Sequence, residues 1–136
     1  MNLKKDNGFG LSDAVIAVVI LTIFATIIVT VSYNIYVQAN FIKRNDTATN
    51  YIVDLFEYVK SIDIENVNYA NILSHFDDSN ITVIKKEDDN GNTGKGYTMI
   101  VEIENTNEFI KQINAEVRYN LAGKTKSINM STLINK

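Results

Sequence analysis

An isolated acid, Asp13, is the residue of this chain whose position most needs a chemical explanation. It precedes a run from Ala14 to Ile42 that contains no charged side chain. If that run lies in lipid, a carboxylate at bilayer depth costs about 2.5–3.5 kcal/mol on insertion scales. Three arrangements offset such a cost: an N-cap hydrogen bond, the positive end of the helix dipole, or a partner cation.

The other residues with catalytic or ligating side chains stand alone. His75 is the only histidine and the chain contains no cysteine, so no second nitrogen or thiolate can share a metal with it. Ser12 has no histidine near it in the sequence, which leaves nucleophilic catalysis without support. The sequence therefore predicts a protein that is not an enzyme, with no cofactor and no metal site.

Two short segments resemble ligand-binding loops but fail on spacing. The segment AGKT (122–125) ends like a phosphate-binding loop, yet Arg118 stands where that loop has its first glycine. The segment KEDDNGNTG has the composition of a calcium loop, yet Lys86 stands where the first acidic ligand belongs. A solvated turn is the favoured interpretation, and weak calcium binding by residues 87–94 stays open.

The composition limits the choice of partners. The chain has 136 residues and a net charge of −3, which suits one modest domain and is a poor match for nucleic acid phosphates. Cysteine and proline are both absent, so no disulfide supports the fold and no proline ring interrupts a long helix. These totals disfavour direct nucleic-acid binding.

Residues 14–37 form a nearly continuous apolar run of about 24 residues. A helix needs about 20 residues to cross the hydrocarbon core, and only a helix or a closed barrel satisfies its backbone there. The run exceeds the 7–15 apolar residues typical of a secretory signal, although VQAN (37–40) faintly resembles a cleavage site. Basic residues lie on both sides of the run, so the charge rule gives only a weak preference for a cytoplasmic N-terminus.

An amphipathic pattern continues the helix beyond the apolar run. Apolar residues recur there at steps of three and four, which predicts one buried face, and the charged residues fall on the opposite side. No glycine or proline interrupts residues 11–64, so we expect one helix of about 50 residues. Its apolar stripe consists of Ala48, Ile52, Leu55, Phe56, Val59 and Ile62.

Four segments with period-two patterning follow, at residues 80–87, 96–104, 113–121 and 124–132. Their alternation predicts an antiparallel sheet that is covered on one side by the amphipathic helix. Asn90–Gly91 predicts a hairpin between the first two strands, Ala122–Gly123 predicts a tight turn between the last two, and residues 105–112 predict a longer link. The predicted fold class is α+β, with a long N-terminal helix packed by its second half on a small antiparallel sheet of about four strands.

The segment KKDNGFGLSDAVIAVVI resembles the N-terminal signature of the type IV pilin and pseudopilin family. That signature has a short basic leader, a glycine, a cleavage point, a phenylalanine and an acid at the fifth mature position. Here the glycine is Gly8, the phenylalanine is Phe9 and the acid is Asp13. The usual acid is glutamate, and Gly10 and Thr30 also differ from the residues common in major pilins. These departures favour a minor pilin or pseudopilin.

The resemblance implies specific roles for three residues. A prepilin peptidase is expected to cut between Gly8 and Phe9, and the new amine of Phe9 is the expected methylation site. In a filament, the Asp13 carboxylate is expected to form an assembly charge pair with the Phe9 ammonium of a neighbouring subunit. Such a pair would offset the cost of two charges in an apolar bundle and fix the axial register.

The resemblance also divides the chain into a leader (1–8), a transmembrane or filament-core helix (9–42) and an extracytoplasmic globular domain (43–136). It implies a single-pass protein of the inner (cytoplasmic) membrane that later enters an extracellular filament. The expected partners are other pilin or pseudopilin subunits, the prepilin peptidase, the inner-membrane assembly platform, and membrane lipid before assembly. A major structural pilin and a single-pass anchor for a binding module are the competing interpretations, and the sequence leaves open whether the machine is a pilus, a secretion system or a competence system.

Overall fold

The computed structural model describes residues 10–77, 80–91, 96–107 and 109–135. The chain divides into two units, Met1–Ala39 and Asn40–Lys136. The predicted α+β class is confirmed. The elements in chain order are α1 (Leu11–Ser61), a 3₁₀ helix (Ile64–Asn66), α2 (Tyr69–His75), β1 (Ile81–Lys85), a 3₁₀ helix (Lys86–Asp88), β2 (Tyr97–Asn107), β3 (Ile110–Leu121) and β4 (Lys124–Asn135).

Helix α1 is one uninterrupted helix of 51 residues, which confirms the predicted length. It contains no glycine or proline that would break the backbone hydrogen bonds. Its amphipathic second part is buried along one stripe, because a 3.6-residue repeat places residues three and four apart on the same face. The fully buried members are Ala48, Ile52, Leu55 and Val59, and the half-buried Phe56 and Ile62 pack against them.

The sheet has the order β1-β2-β3-β4, with antiparallel pairing of β2 with β3 and of β3 with β4. Strands β1 and β2 are parallel, with Ile81 beside Tyr97, so the predicted hairpin at Asn90–Gly91 is wrong. Gly91 does turn the chain locally, with φ of 76° and its N–H donating to the Asp89 carboxylate at 2.9 Å. A turn dipeptide specifies a local bend but not strand reversal, and β2 runs in the same direction as β1.

The two antiparallel connections are both tight. Ala122 and Gly123 have φ values of 50° and 77°, the positive pair that a two-residue type I′ turn requires, so the predicted turn is confirmed. The predicted long link at residues 105–112 is wrong, because β2 runs to Asn107 and β3 begins at Ile110. There the Phe109 N–H donates to the Asn107 side chain at 2.9 Å, which closes the turn locally.

The core lies between the amphipathic part of α1 and one face of the sheet. Strand residues alternate in burial along β3, as the period-two pattern predicts. Ile72 of α2 and its C-cap residue Phe76 belong to the same core, and the N-cap Asn68 accepts a hydrogen bond from the Asn71 N–H at 2.9 Å. The sheet contributes Ile81, Val83, Met99, Val101, Ile113, Ala115, Val117, Tyr119 and Ile134.

The opposite face of the sheet is also covered at one place, which corrects the prediction of a single covered side. Thr98 and Ile100 are 3% and 2% exposed, although they alternate with the core residues of β2. Arg118 pairs with Thr98 across the strands, and its guanidinium bonds Asp89 of the β1–β2 connection at 2.8 Å. Asp89 of the connection therefore contacts Arg118 on this face of the sheet, next to Thr98.

A lysine ties β3 to the segment that follows α1. The Lys111 ammonium donates hydrogen bonds to the carbonyl of Ile64 at 2.7 Å and to that of Val67 at 3.1 Å. These carbonyls belong to the segment between α1 and α2, where the Ile64 carbonyl also accepts from the Val67 N–H at 3.3 Å. The half-buried Lys111 side chain therefore joins this segment to β3 through two hydrogen bonds.

Candidate functional site

Asp13 lies in the first turn of α1. Its backbone N–H donates to the Gly10 carbonyl at 2.8 Å, and a Cβ placed on Gly10 would lie 3.9 Å from its carboxylate oxygen. The carboxylate is therefore near the start of the helix, where the dipole favours a negative charge. No described residue forms an ion pair with Asp13. The predicted cleavage residues Gly8 and Phe9 lie outside the described residues.

The first part of α1 exposes an apolar surface on all sides. Every residue from 11 to 36 is solvent-exposed, including Ile20, Phe24 and Ile28 at 48–64%. Isolated exposed apolar side chains are normal, but a continuous surface of this kind marks contact with lipid or with other chains. By length and composition α1 can cross a membrane.

Three threonines in this part of α1 satisfy their hydroxyl groups within the helix. Thr22, Thr26 and Thr30 donate to the carbonyls four residues earlier at 2.7–2.8 Å. In hydrocarbon an unsatisfied hydroxyl costs several kcal/mol, so these bonds remove the main obstacle that threonine presents there. The threonine hydroxyls are thus compatible with an apolar environment.

The lone histidine, His75, is held by contacts with side chains of α1. The His75 ring stacks on Tyr58 with centroids 4.1 Å apart, and its Nε2 lies 3.3 Å from an oxygen of Asp54. No described group of three or more histidine, cysteine or acidic residues is arranged to hold a metal. The structure therefore places His75 at the contact between α1 and α2, where Phe76 meets it edge-on.

In the acidic loop that resembled a calcium site, Asp89 is engaged in hydrogen bonds, while residues 92–94 of that loop lie outside the described residues. The Asp89 carboxylate accepts hydrogen bonds from the Gly91 N–H and from Arg118, and these lower its pKa. Glu116 binds the other side of the Arg118 guanidinium at 2.7 Å. The Asp89 and Arg118 side chains retain 12% and 17% exposure. The AGKT segment, in turn, forms the hairpin between β3 and β4 and is no phosphate loop.

A polar cavity of about 500 Å³ lies beside the beginning of the second unit. Lys43, Arg44 and Thr47 line it from α1, and it is also lined by Asn80, which precedes β1, and by Tyr97 of β2. The parallel pairing of β1 with β2 brings the starts of these strands together, because Ile81 lies beside Tyr97. No pattern in the sequence predicted this cavity, since its two sides lie more than 30 residues apart in the chain and β1 and β2 were predicted to be antiparallel.

Tyrosine rings adjoin this cavity. Tyr97 lies 5.5 Å from Tyr51 and 5.8 Å from Tyr119, measured between ring centroids. Burial is the main cause that raises the pKa of Tyr51 and of Tyr119, and the neighbouring Tyr97 raises both further. The rings of Tyr51, Tyr97 and Tyr119 therefore form one aromatic cluster beside the cavity.

Comparison of this chain with protein-family models, with curated proteins and with solved structures finds no match. The assignment of a function therefore depends on the residues themselves.

Proposed function

We propose that this chain is a minor pilin or pseudopilin subunit of a type IV pilus, type II secretion or competence-type filament. The observation that carries the proposal is the placement of Asp13 in the first turn of a helix whose next 23 residues, 14–36, are all exposed. An acid four positions after a Gly–Phe pair and before such a surface is the signature that processing and assembly require. The protein has no catalytic role in this proposal.

Before assembly, the apolar part of α1 is held in the cytoplasmic membrane with the second unit outside the cytoplasm. The prepilin peptidase removes residues 1–8 and leaves Phe9 as the methylated N-terminus. An assembly platform then transfers the subunit from lipid into the filament. This transfer exchanges one apolar environment for another, so it needs little net change in hydrophobic free energy.

Within the filament, the Asp13 carboxylate neutralises the Phe9 ammonium of a neighbouring subunit. Two unpaired charges inside an apolar bundle are costly, whereas a hydrogen-bonded pair recovers much of that cost. The pair therefore mainly fixes the axial register between subunits, because only one axial offset brings both groups together. The cation that Asp13 lacks among the described residues comes from another chain in this proposal.

The mass of the mature chain tests the cleavage. We expect the membrane-extracted protein to begin at Phe9 and to carry a methyl group. Gly8→Val should block processing, because a branched side chain crowds the scissile backbone. Gly10→Ala is the matched control, since its new Cβ meets Asp13 only at an ordinary contact distance of 3.9 Å. A cell-surface form that retains the leader would leave a single-pass anchor for a binding module as the better explanation.

Incorporation into filaments tests the charge pair. We expect Asp13→Ala to leave membrane insertion and cleavage largely intact while reducing the amount of subunit in sheared surface filaments. Asp13→Glu keeps the carboxylate and should retain incorporation, and Ser12→Ala in the same turn should have no effect. Equal incorporation of Asp13→Ala beside wild-type subunits would contradict the role of the pair. High abundance in the sheared fraction would favour a major pilin.

A further inference from the structure

The cavity between α1 and the starts of β1 and β2 has the donor set of an anion site. Lys43 and Arg44 are its two charged lining residues, and no described carboxylate lines it. The ion pairs among the described residues involve only His75 and Arg118 as cations, so neither of the two lining cations is neutralised there. A cavity with two uncompensated cations attracts a compact anion.

One of the two cations is already fixed in position. A terminal nitrogen of the Arg44 guanidinium donates to the Asn120 carbonyl at 2.9 Å, which orders the planar group and leaves other N–H groups for a ligand. The Lys43 ammonium can supply up to three further donors. A preorganised guanidinium loses less conformational entropy on binding than a free one, and phosphate oxygens match its geometry.

The sequence position of the two cations identifies the source of the anion. Lys43 and Arg44 are the first charged residues after the uncharged run from Ala14 to Ile42. When that run lies in lipid, they lie at the boundary between hydrocarbon and water, where phospholipid phosphates lie. The Tyr97 ring on the cavity wall suits the same boundary, because tyrosine presents an apolar body and a polar tip.

We infer that this cavity binds the phosphate of an anionic phospholipid headgroup through Lys43 and Arg44. This inference rests on the membrane-embedded stage of the proposed function and assigns a lipid site to that stage. A long polyanion is a poorer occupant, because the net charge of the chain is −3. The site also fixes how the second unit meets the membrane surface, because a bound headgroup joins α1, β1 and β2 to one lipid.

The test uses the full chain labelled with 3-fluorotyrosine in zwitterionic detergent micelles. Dioctanoyl phosphatidylglycerol is titrated, and the ¹⁹F resonance of Tyr97 is followed after assignment with Tyr97→Phe. We expect a saturable shift, with phosphatidylcholine binding at least about tenfold more weakly. Lys43→Gln should lower the affinity for phosphatidylglycerol about fivefold or more. Lys60→Gln, on the same helix but away from the cavity, should leave the affinity unchanged.

Further titrations distinguish the possible sources of the phosphate. Inorganic phosphate that binds as tightly as the lipid would overturn the lipid assignment in favour of a free-anion site. Tighter binding of a short DNA oligonucleotide would overturn it in favour of nucleic acid. No shift with any ligand, or a shift that Lys43→Gln does not change, would overturn the site itself. The mass of the same samples reports whether Phe9 is the N-terminus, so failure of this site is distinguishable from failure of the proposed function.

Discussion

Leu55→Ala tests whether the second part of α1 is held by burial on the sheet. The Leu55 side chain is 0% exposed and belongs to the core that α1 shares with β2 and β3. Truncation removes three carbon atoms, worth about 0.8 kcal/mol each in transfer free energy. The cavity left behind adds to this cost, and fully buried Leu→Ala substitutions cost about 2.7–5.0 kcal/mol. We expect a loss of about 3 kcal/mol or more in the free energy of unfolding.

This loss is a large part of the total stability. A domain of this size is stable by about 5–15 kcal/mol, so Leu55→Ala should lower the urea midpoint strongly without changing the slope. The assay is urea unfolding of the full chain in micelles, followed by near-ultraviolet circular dichroism of the tyrosines around Tyr97. Detergent keeps the apolar part of α1 solvated in both states, so the transition reports the second unit.

Val53→Ala is the matched control on the same helix. Val53 is 42% exposed, and alanine has the higher helix propensity, so we expect a change within about 0.5 kcal/mol. A loss below about 1 kcal/mol for Leu55→Ala would refute the reasoning. An equal loss for the two variants would also refute it, because burial would then not be the cause.

Three further substitutions test separate contacts by the same urea assay. Ala122→Asn should stabilise the protein by roughly 0.5–1 kcal/mol, because asparagine tolerates the positive φ of this turn better than alanine; a destabilisation would contradict the turn assignment. Lys111→Met should cost about 1–3 kcal/mol, because it removes the donors to the Ile64 and Val67 carbonyls, and an unchanged midpoint would show that water replaces them. Asp89→Asn should make the free energy of unfolding depend less steeply on pH in the acidic range. The folded-state pKa of Asp89 lies below its ordinary value, so its contribution is present above about pH 4 and is lost as the pH falls through the folded-state pKa; an unchanged slope would exclude Asp89 as a cause.

Periodicity in the sequence was sufficient to predict the long helix and the class of the fold. The spacing of Ala48, Ile52, Leu55 and Val59 identifies one face of a helix whatever the rest of the chain does, since side-chain direction follows from backbone geometry. The alternation along β3 and the Ala122–Gly123 turn are equally local, because each depends on a few adjacent residues. The apolar run after Asp13 was equally predictable, because it consists of adjacent residues in the sequence.

Strand direction and cavity position depended on contacts that are distant in the chain. Asn90–Gly91 indicated a turn, but β1 is parallel to β2, and Asp89 after β1 bonds Arg118 of β3. Local turn chemistry carries no information about strand direction, since contacts such as Asp89–Arg118 join residues about 30 positions apart. The same pairing places Asn80 and Tyr97 opposite Lys43 and Arg44. The sequence by itself therefore determined an apolar helix with a single acid at its start, and only the tertiary structure decided which residues share a cavity with Lys43 and Arg44.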